Sequence, residues 1–241
     1  MQSWMGKHIR ADILYTKAGT AQQIRVSNEI GSVLVDAGDG LLRDIELADF
    51  DINQIMGVVF THGHFDHMGG LYALLGYMRM IGRIDLLPIF APEGCTEVFS
   101  MVDNFMKLYA ETVPFEITCR KIKPGDQFQL AGMAVEAYPM VHYGDIEGRK
   151  LLDQVPAMGY RFSYKGEKIA ISGDTGICPS LSELVKGADL AILEATFKYS
   201  KLVDDEILAK VHLSEDVAKE VGKLAKYLIL VHKGPRKKTE E

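Results

Sequence analysis

Eight apolar, β-branched runs in this chain predict buried strands, and most of them stop at a side chain that can bind a metal ion or a proton. The runs are SVLVDAG (32–38), IMGVVFTH (55–62), IDLLPIFAP (84–92), MAVEAYPMVH (133–142), MGYRFSY (158–164), KIAISGD (168–174), DLAILEA (189–195) and YLILVH (227–232). Such short runs, bounded by turn residues, are typical of strands in a sheet that is covered on both faces. At or near their C-terminal ends lie Asp36, His62, His142, Asp174, Glu194 and His232.

Helical periodicity separates some of these strands. It covers residues 69–80, 93–111 and 214–226, the last with Ser214 in the position of an N-cap. Strands with helices between them predict an α/β architecture in layers. In such folds strand ends meet at one edge, so we expect the polar residues there to form one site. The alternative is that polar residues collect wherever strands reach solvent, which accounts less well for three histidines among six positions.

The segment FTHGHFDHMGG (60–70) concentrates three histidines and an aspartate in one loop. His62 and His64 are two positions apart, so an extended backbone points both imidazoles to one face. Asp66 and His67 follow where the chain turns into a helix, and they are expected to point to a neighbouring position. Imidazole and carboxylate are zinc ligands, and manganese or iron also fits where carboxylate is richer. Four such ligands are too many for one open catalytic ion, which predicts two divalent ions; the alternative is a solvated histidine-rich loop.

The motif THGHFDH (61–67) resembles the HxHxDH signature of the metallo-β-lactamase fold, and three later segments match the ligands that follow it in that family. The segments are PMVHYGD with His142, ISGDTG with Asp174 and LILVHKG with His232. The resemblance implies one domain over residues 1–241, with two mixed β-sheets flanked by helices in four layers, αββα. It also implies that His62, His64 and His142 hold one ion, that Asp66, His67 and His232 hold the other, and that Asp174 bridges them.

Two ions roughly 3.5–4 Å apart can share one hydroxide and stabilise an oxyanion. Because water bound to such ions ionises near neutral pH, the predicted reaction is hydrolysis of an ester-like bond by a metal-bound hydroxide.

Two further segments, LEATF (193–197) and KVHLSEDVAKEVGKLAKYLILVH (210–232), resemble the ribonuclease Z branch of the fold. In that branch a Glu-Ala-Thr element partners a histidine just before a helix. The resemblance implies that His212, held by Glu194, assists departure of the leaving oxygen, and we expect Asp66 to orient the nucleophile. The alternative makes His212 a helix-start residue and Glu194 an ordinary charge at a strand end.

The expected substrate is a small or cyclic phosphodiester. Many ribonuclease Z proteins carry a glycine- and proline-rich arm that clamps transfer RNA, and residues 143–173 leave little room for one. The net charge of −6 also disfavours an RNA partner. The basic tail HKGPRKKTEE (232–241) and the Met- and aromatic-rich segment 93–115 are candidate substrate contacts. The alternatives are a solvated terminus for the tail, and core or a dimer surface for the segment; a homodimer is implied only by the resemblance.

Three rival functions remain open: 3′ processing of transfer RNA, thioester or lactone hydrolysis by the same fold, and a non-catalytic metal-binding module. The chain has no apolar stretch long enough for a signal or a membrane span, so we expect a soluble cytoplasmic protein with no membrane partner. An odd number of cysteines suits a reducing compartment, and Cys95, Cys119 and Cys178 are predicted to be buried thiols. His8 is predicted to lie at the surface.

Overall fold

The computed structural model describes residues 1–146 and 150–234, in which two β-sheets face each other. Within these residues the strands are β1 (Gln2–Met5), β2 (Arg10–Lys17), β3 (Ala21–Ser27), β4 (Ser32–Val35), β5 (Ile55–Val59), β6 (Leu87–Pro92), β7 (Ile117–Ile122), β8 (Gln127–Leu130), β9 (Met133–Pro139), β10 (His142–Ile146), β11 (Lys150–Val155), β12 (Met158–Tyr164), β13 (Glu167–Ile171), β14 (Leu190–Glu194) and β15 (Tyr227–Val231). The α-helices are α1 (Leu41–Leu47), α2 (Phe65–Met68), α3 (Leu71–Met80), α4 (Thr96–Tyr109), α5 (Pro179–Val185), α6 (Asp205–Lys210) and α7 (Glu215–Gly222), with 3₁₀ turns at Ile52–Gln54, Ala110–Thr112 and Ser200–Leu202.

Both large sheets are mixed. The first has the order β1-β2-β3-β4-β5-β6-β7, antiparallel up to β4 and parallel from β4 to β7. The second has the order β15-β14-β13-β12-β9-β8, with β13, β14 and β15 parallel. Strands β10 and β11 pair with each other as a separate hairpin. The C-terminal ends of the parallel strands in each sheet therefore lie along one edge.

Alternating side chains along the strands build the layers. Val35 and Ile171 point into a core shared by the two sheets. Leu34, next to Val35, instead joins the cluster that packs the first sheet against α3 and α4. Ala170, next to Ile171, joins the cluster that packs the second sheet against α5 and α7. The predicted αββα order of layers is confirmed.

All eight predicted strands are present, but most of those that lead to the polar residues end before them; β14 instead ends at Glu194 itself. Strand β5 ends at Val59 and β13 ends at Ile171, three residues before His62 and Asp174 respectively. Two other strand-end residues adopt left-handed backbone conformations, Asp36 with φ 62° and His232 with φ 52°. Such values are uncommon outside glycine and concentrate at functional sites. The chain therefore leaves the sheet where the polar side chains begin.

The apolar pattern of the sequence does not predict strands β1 to β3, because polar side chains interrupt it. Asp12 is fully buried in β2 and is held by the guanidinium groups of Arg10 and Arg25, at 2.6 Å and 2.7 Å. Gln22 and Gln23 in β3 are also buried. A buried polar group is tolerated where hydrogen bonds satisfy it, and a hydrophobicity pattern does not detect that.

The segment 93–115 belongs to the core rather than to a cleft. Val98, Val102 and Phe105 recur on one face of α4 and are buried against the helices and strands of the first sheet. Met101, Met106 and Tyr109, the Met and aromatic residues that made this segment a candidate substrate contact, are partly buried and pack against the same cluster. The core alternative therefore holds for this helix.

The prediction for the cysteines is right for two of the three. Cys95 and Cys178 are buried, whereas Cys119 is exposed because it lies on β7, the edge strand of the first sheet, whose residues mostly face solvent. His8 is partly exposed, as expected for a residue at the surface. Among the described residues, none of the helices is both long enough and apolar enough to cross a membrane.

Tyr160→Phe tests how the two sheets are joined. The Tyr160 hydroxyl is buried between the sheets and donates to the Phe60 carbonyl at 2.9 Å, just before His62. Removing it leaves that carbonyl without its donor, so the free energy of unfolding should fall by about 1–2 kcal/mol in urea titrations. Tyr77→Phe, at an exposed position of α3, is the matched control and should change stability by less than about 0.5 kcal/mol. Equal stability of the two variants would contradict the role of this hydrogen bond.

Candidate metal centre

The side chains predicted to bind metal meet at the edge where the parallel strands end. His62 and His64 follow β5, Asp66 and His67 lie on α2, His142 opens β10, Asp174 follows β13 and His232 follows β15. The ligand atoms of His62, His64 and His142 lie within 4.8 Å of one another, and so do those of Asp66, His67 and His232. These two triplets are the sets that the family resemblance implied. All seven side chains except that of His64 are buried.

Asp174 lies between the two triplets. Its Oδ2 is 3.5 Å from His67 Nε2 and 3.9 Å from His62 Nε2, while its Oδ1 is 3.4 Å from His232 Nδ1. One carboxylate therefore faces members of both triplets, as a bridging ligand must.

The spacing of the donor atoms fits a tetrahedral ion. His142 Nε2 lies 3.2 Å from His64 Nδ1 in the first triplet, and His67 Nε2 lies 3.4 Å from His232 Nε2 in the second. Two nitrogens bound tetrahedrally to zinc at roughly 2.0–2.1 Å would be separated by about 3.3–3.4 Å. The mixture of imidazole and carboxylate donors also admits manganese or iron.

Two buried polar atoms within this cluster make no hydrogen bond, namely His62 Nε2 and Asp174 Oδ1. Buried polar atoms nearly always have a partner, so two unpaired acceptors in one cluster need an explanation. A cation held by the two triplets would satisfy both atoms. The residues present therefore fit a pair of divalent ions.

Three residues orient the ligands from the side that faces away from the centre. The Asp36 carboxylate lies 2.8 Å from His67 Nδ1 and also accepts from the backbone N–H of Thr61 at 2.8 Å. The Val211 carbonyl accepts from His142 Nδ1 at 2.8 Å. These bonds fix the ring orientation and leave Nε2 of each histidine toward the centre. The sequence predicts Asp36 at a strand end but assigns it no role, and it does not predict the hydrogen bonds of Thr61 and Val211. A backbone carbonyl leaves no signal in the sequence.

Burial sets the protonation of the ligands. It lowers the pKa of His142 to about 3 and that of His62 well below its ordinary value, so both imidazoles are neutral at pH 7. Although burial alone raises the pKa of Asp174, the charges of His232 and His67 hold it well below its usual range. Neutral imidazoles and ionised carboxylates are the forms that bind metal. Although burial lowers the pKa of His67, the charges of Asp174 and Asp36 raise it well above its ordinary value, so His67 must release a proton when an ion binds.

Glu194 and His212, predicted as a pair, are in contact beside the second sheet. Glu194 is fully buried and its Oε1 lies 2.9 Å from His212 Nδ1. The same oxygen accepts from the backbone N–H groups of Thr175 and Leu213, both at 3.1 Å. Although burial lowers the pKa of His212, the charge and hydrogen bond of Glu194 raise it to about 9. His212 is therefore a cation at neutral pH. The two backbone N–H groups restrict rotation of the Glu194 carboxylate.

The hairpin of β2 and β3 in the first sheet contacts two members of the second triplet, Asp66 and His232. The Gly19 N–H donates to Asp66 Oδ2 at 2.8 Å, and the same oxygen is 3.1 Å from His232 Nε2. The Thr16 hydroxyl accepts from the His232 N–H at 2.6 Å. The sequence does not predict these contacts, because nothing in an ordinary hairpin indicates which distant residues the hairpin will contact.

Comparison with known proteins places this geometry in context. Residues 32–232 match a family model described as the β-lactamase superfamily domain. The chain is 27% identical to the ribonuclease Z of Pyrococcus furiosus over 258 residues, covering 90% of this chain and 81% of that protein. The human tRNase Z short form superposes with a TM-score of 0.76 at 22% identity, over 94% of this chain and 93% of that one. Zn²⁺-bound PqqB from Methylobacterium extorquens gives 0.69 at 15% identity, over 93% and 89%. The two structures show that the fold is shared.

Asp36→Asn tests the support behind His67. Asparagine tolerates the left-handed backbone at this position but places an N–H₂ group where the carboxylate accepted hydrogen bonds. Zinc affinity, measured by competition with a chromogenic chelator, should fall by about 10- to 100-fold. Asp39→Asn, three positions later and exposed, is the control and should bind zinc as the wild type does. Unchanged affinity of Asp36→Asn would show that Asp36 does not support the metal ligands.

Proposed function

Because the chain belongs to the β-lactamase superfamily, we propose that it is a metal-dependent phosphodiesterase of the ribonuclease Z-like branch. The observation that carries the proposal is the contact between Glu194 and His212, with 2.9 Å between Oε1 and Nδ1, next to the two ligand triplets. A hydrolase that splits esters with good leaving groups has little use for such a pair. The relatives named ribonuclease Z, at moderate identity, support hydrolysis of a phosphoester bond.

The proposed ligands of one ion are His62, His64 and His142, and those of the other are Asp66, His67 and His232, with Asp174 between them. Two divalent ions, for which zinc suits the donors best, would supply a nucleophile from water at neutral pH and positive charge opposite the phosphate oxygens.

His212 is proposed to act as the general acid. A departing alkoxide is a poor leaving group unless it receives a proton, and an imidazolium can give one. Its Nδ1–H is bound to Glu194, so Nε2–H remains for the substrate oxygen. Glu194 keeps the ring charged and correctly oriented because three backbone N–H groups and the Thr196 hydroxyl fix its own carboxylate.

Asp66 is proposed to orient the attacking water as well as to bind metal. Gly19 N–H and His232 both contact Oδ2, so rotation of the carboxylate is restricted. A fixed acceptor of this kind can hold one proton of the water and direct its lone pair at phosphorus.

A small or cyclic phosphodiester is the proposed substrate. In the described residues between His142 and Asp174 the chain forms β10 to β13 and their connections, at the place where the resemblance to ribonuclease Z implied a clamping arm. The net charge of −6 gives little attraction for a long polyanion. The basic residues Arg236, Lys237 and Lys238 lie outside the described residues, so their contact with substrate stays a prediction.

RNA cleavage is the second candidate, and the names of the relatives favour it. Turnover of cyclic nucleotides and of a precursor transfer RNA, compared at equal enzyme and at 50–200 mM salt, separates the two candidates. Efficient cleavage of the RNA alone would replace the small-substrate proposal.

The substitution His212→Ala tests the proposed role of His212 as the general acid. In zinc-loaded protein the wild type should hydrolyse a 3′,5′-cyclic nucleotide, whose leaving oxygen is an alkoxide, and the variant should lose roughly 100-fold or more in kcat. Zinc content should stay the same in both, because His212 is not one of the seven proposed ligands. His8→Ala is the control: His8 lies beside Glu167 at the opposite end of β13 from Asp174, and it should be fully active. Turnover of a thioester that ignores His212, without cleavage of the diester, would contradict the phosphodiesterase.

The pH dependence of kcat tests the role of Glu194 as the partner of His212. The acid must be protonated, so activity that depends on it is present below the pKa of His212, about 9, and is lost as the pH rises through that value. Glu194→Gln removes the charge that raises this pKa, so the alkaline limb of kcat should move to lower pH. Thr196→Ser, which keeps the hydroxyl that donates to Glu194, should leave the limb in place. An alkaline limb that is identical in Glu194→Gln and the wild type would show that His212 is not the titrating acid.

A further inference from the structure

The candidate metal centre opens to solvent at two histidines. His64 is half-buried and the His212 side chain is 18% exposed, whereas the other proposed site residues are buried. The ring of His142 lies between these two, with its centroid 4.9 Å from that of His64 and 5.1 Å from that of His212. A substrate must therefore enter over His142, with His64 on one side and His212 on the other.

Phe65 follows the first of these histidines in the sequence, and its side chain is 66% exposed. It occupies the one position between His64 and Asp66, so its neighbours in sequence belong to different ligand triplets. Its backbone is held where α2 begins, because the His64 carbonyl accepts from His67 N–H at 2.9 Å and the Phe65 carbonyl accepts from Gly69 N–H at 2.7 Å. A side chain this exposed contributes little to folding, although its backbone is held in place.

Phe197 stands next to the second histidine. Its ring centroid is 6.2 Å from that of His212, edge to face, and the side chain is half-buried. Its N–H donates to the Leu213 carbonyl at 3.1 Å, and its carbonyl accepts from Glu215 N–H at 2.8 Å. The second aromatic ring is thus tied to the segment that carries His212.

We propose that Phe65 and Phe197 are specificity-determining residues that hold a planar aromatic group of the substrate beside the reacting phosphate, one at each side of the opening. The inference rests on the proposed function, since it assigns the substrate group that the same site accepts. Aromatic rings on a fixed backbone stack on planar groups with little loss of side-chain freedom, and every nucleobase or aryl ring offers such a face. The favoured substrates are phosphodiesters that carry an aryl group or a nucleobase.

The direct test compares two ligands that differ by one planar group. Adenosine monophosphate and ribose 5-phosphate are titrated into zinc-loaded protein in a calorimeter, with phenyl phosphate to distinguish a simple aryl ring from a base. The wild type should bind the nucleotide about 10-fold or more tightly than the sugar phosphate. Phe65→Ala should abolish most of that ratio and leave the affinity for ribose 5-phosphate unchanged.

Further variants separate stacking from packing. Phe65→Trp should keep the preference for the nucleotide, and Phe65→Leu, which keeps bulk without a ring, should lose it. Because Phe197 is half-buried, Phe197→Leu is used there so that packing is retained. Tyr77→Ala removes another exposed aromatic ring, on α3, and should leave the ratio as in the wild type. With bis(p-nitrophenyl) phosphate, Phe65→Ala should raise KM more than it lowers kcat.

Two results would overturn the inference. One is a nucleotide-to-sugar-phosphate ratio that stays the same in Phe65→Ala and Phe197→Leu, and the other is an equal loss for both ligands, which would indicate disturbed metal binding. If the wild type shows the base-dependent ratio but cleaves no phosphodiester, the proposed function fails and the aromatic subsite stands. If it cleaves diesters with a ratio that ignores both phenylalanines, only the subsite fails.

Discussion

Three of the carboxylates buried at the edge where the two sheets meet, Asp36, Asp174 and Glu194, impose the main constraint on this structure. An ionised group out of water is costly unless charge and hydrogen bonds compensate it. Asp36 is compensated by Thr61 and His67, and Glu194 by His212 together with backbone N–H groups. Asp174 is surrounded by histidines, and one of its oxygens makes no hydrogen bond. The fold thus leaves charge to be neutralised at the point where two ions are proposed to bind.

Each sheet supplies part of this edge and each supports the part that the other supplies. The Tyr160 hydroxyl and the Met158 N–H, both on β12 of the second sheet, bind the Phe60 and Thr61 carbonyls, which lead into the histidine loop of the first. In return Thr16, at the β2–β3 hairpin, binds the His232 backbone of the second sheet. Alignment of the proposed ligands therefore depends on the packing of the two sheets. A change that loosens the shared core should also misplace the ligands.

The proposed choice of substrate rests on the surroundings of the centre rather than on the fold. Residues 32–232 follow the superfamily model, and structures at 15–22% identity superpose over nearly the whole chain. The fold therefore says little about which ester is cleaved. The short β10–β11 hairpin and the two phenylalanines at the opening are features of this chain's own sequence, and they favour a compact substrate with a planar group.

The sequence by itself determined the layered α/β fold, the positions of eight of its strands along the chain and the identity of the side chains that meet at the edge. Apolar periodicity predicts strands because burial depends on the local pattern, and the spacing of THGHFDH within one short loop predicts neighbouring ligands for the same local reason. Only the tertiary structure decided what supports those ligands. The carbonyl of Val211, the N–H of Gly19 and the turn of Asp36 toward His67 act across long sequence separations through backbone atoms or backbone conformation. Every residue carries the same backbone groups, so which of them meets a ligand is set by the packing of the sheets.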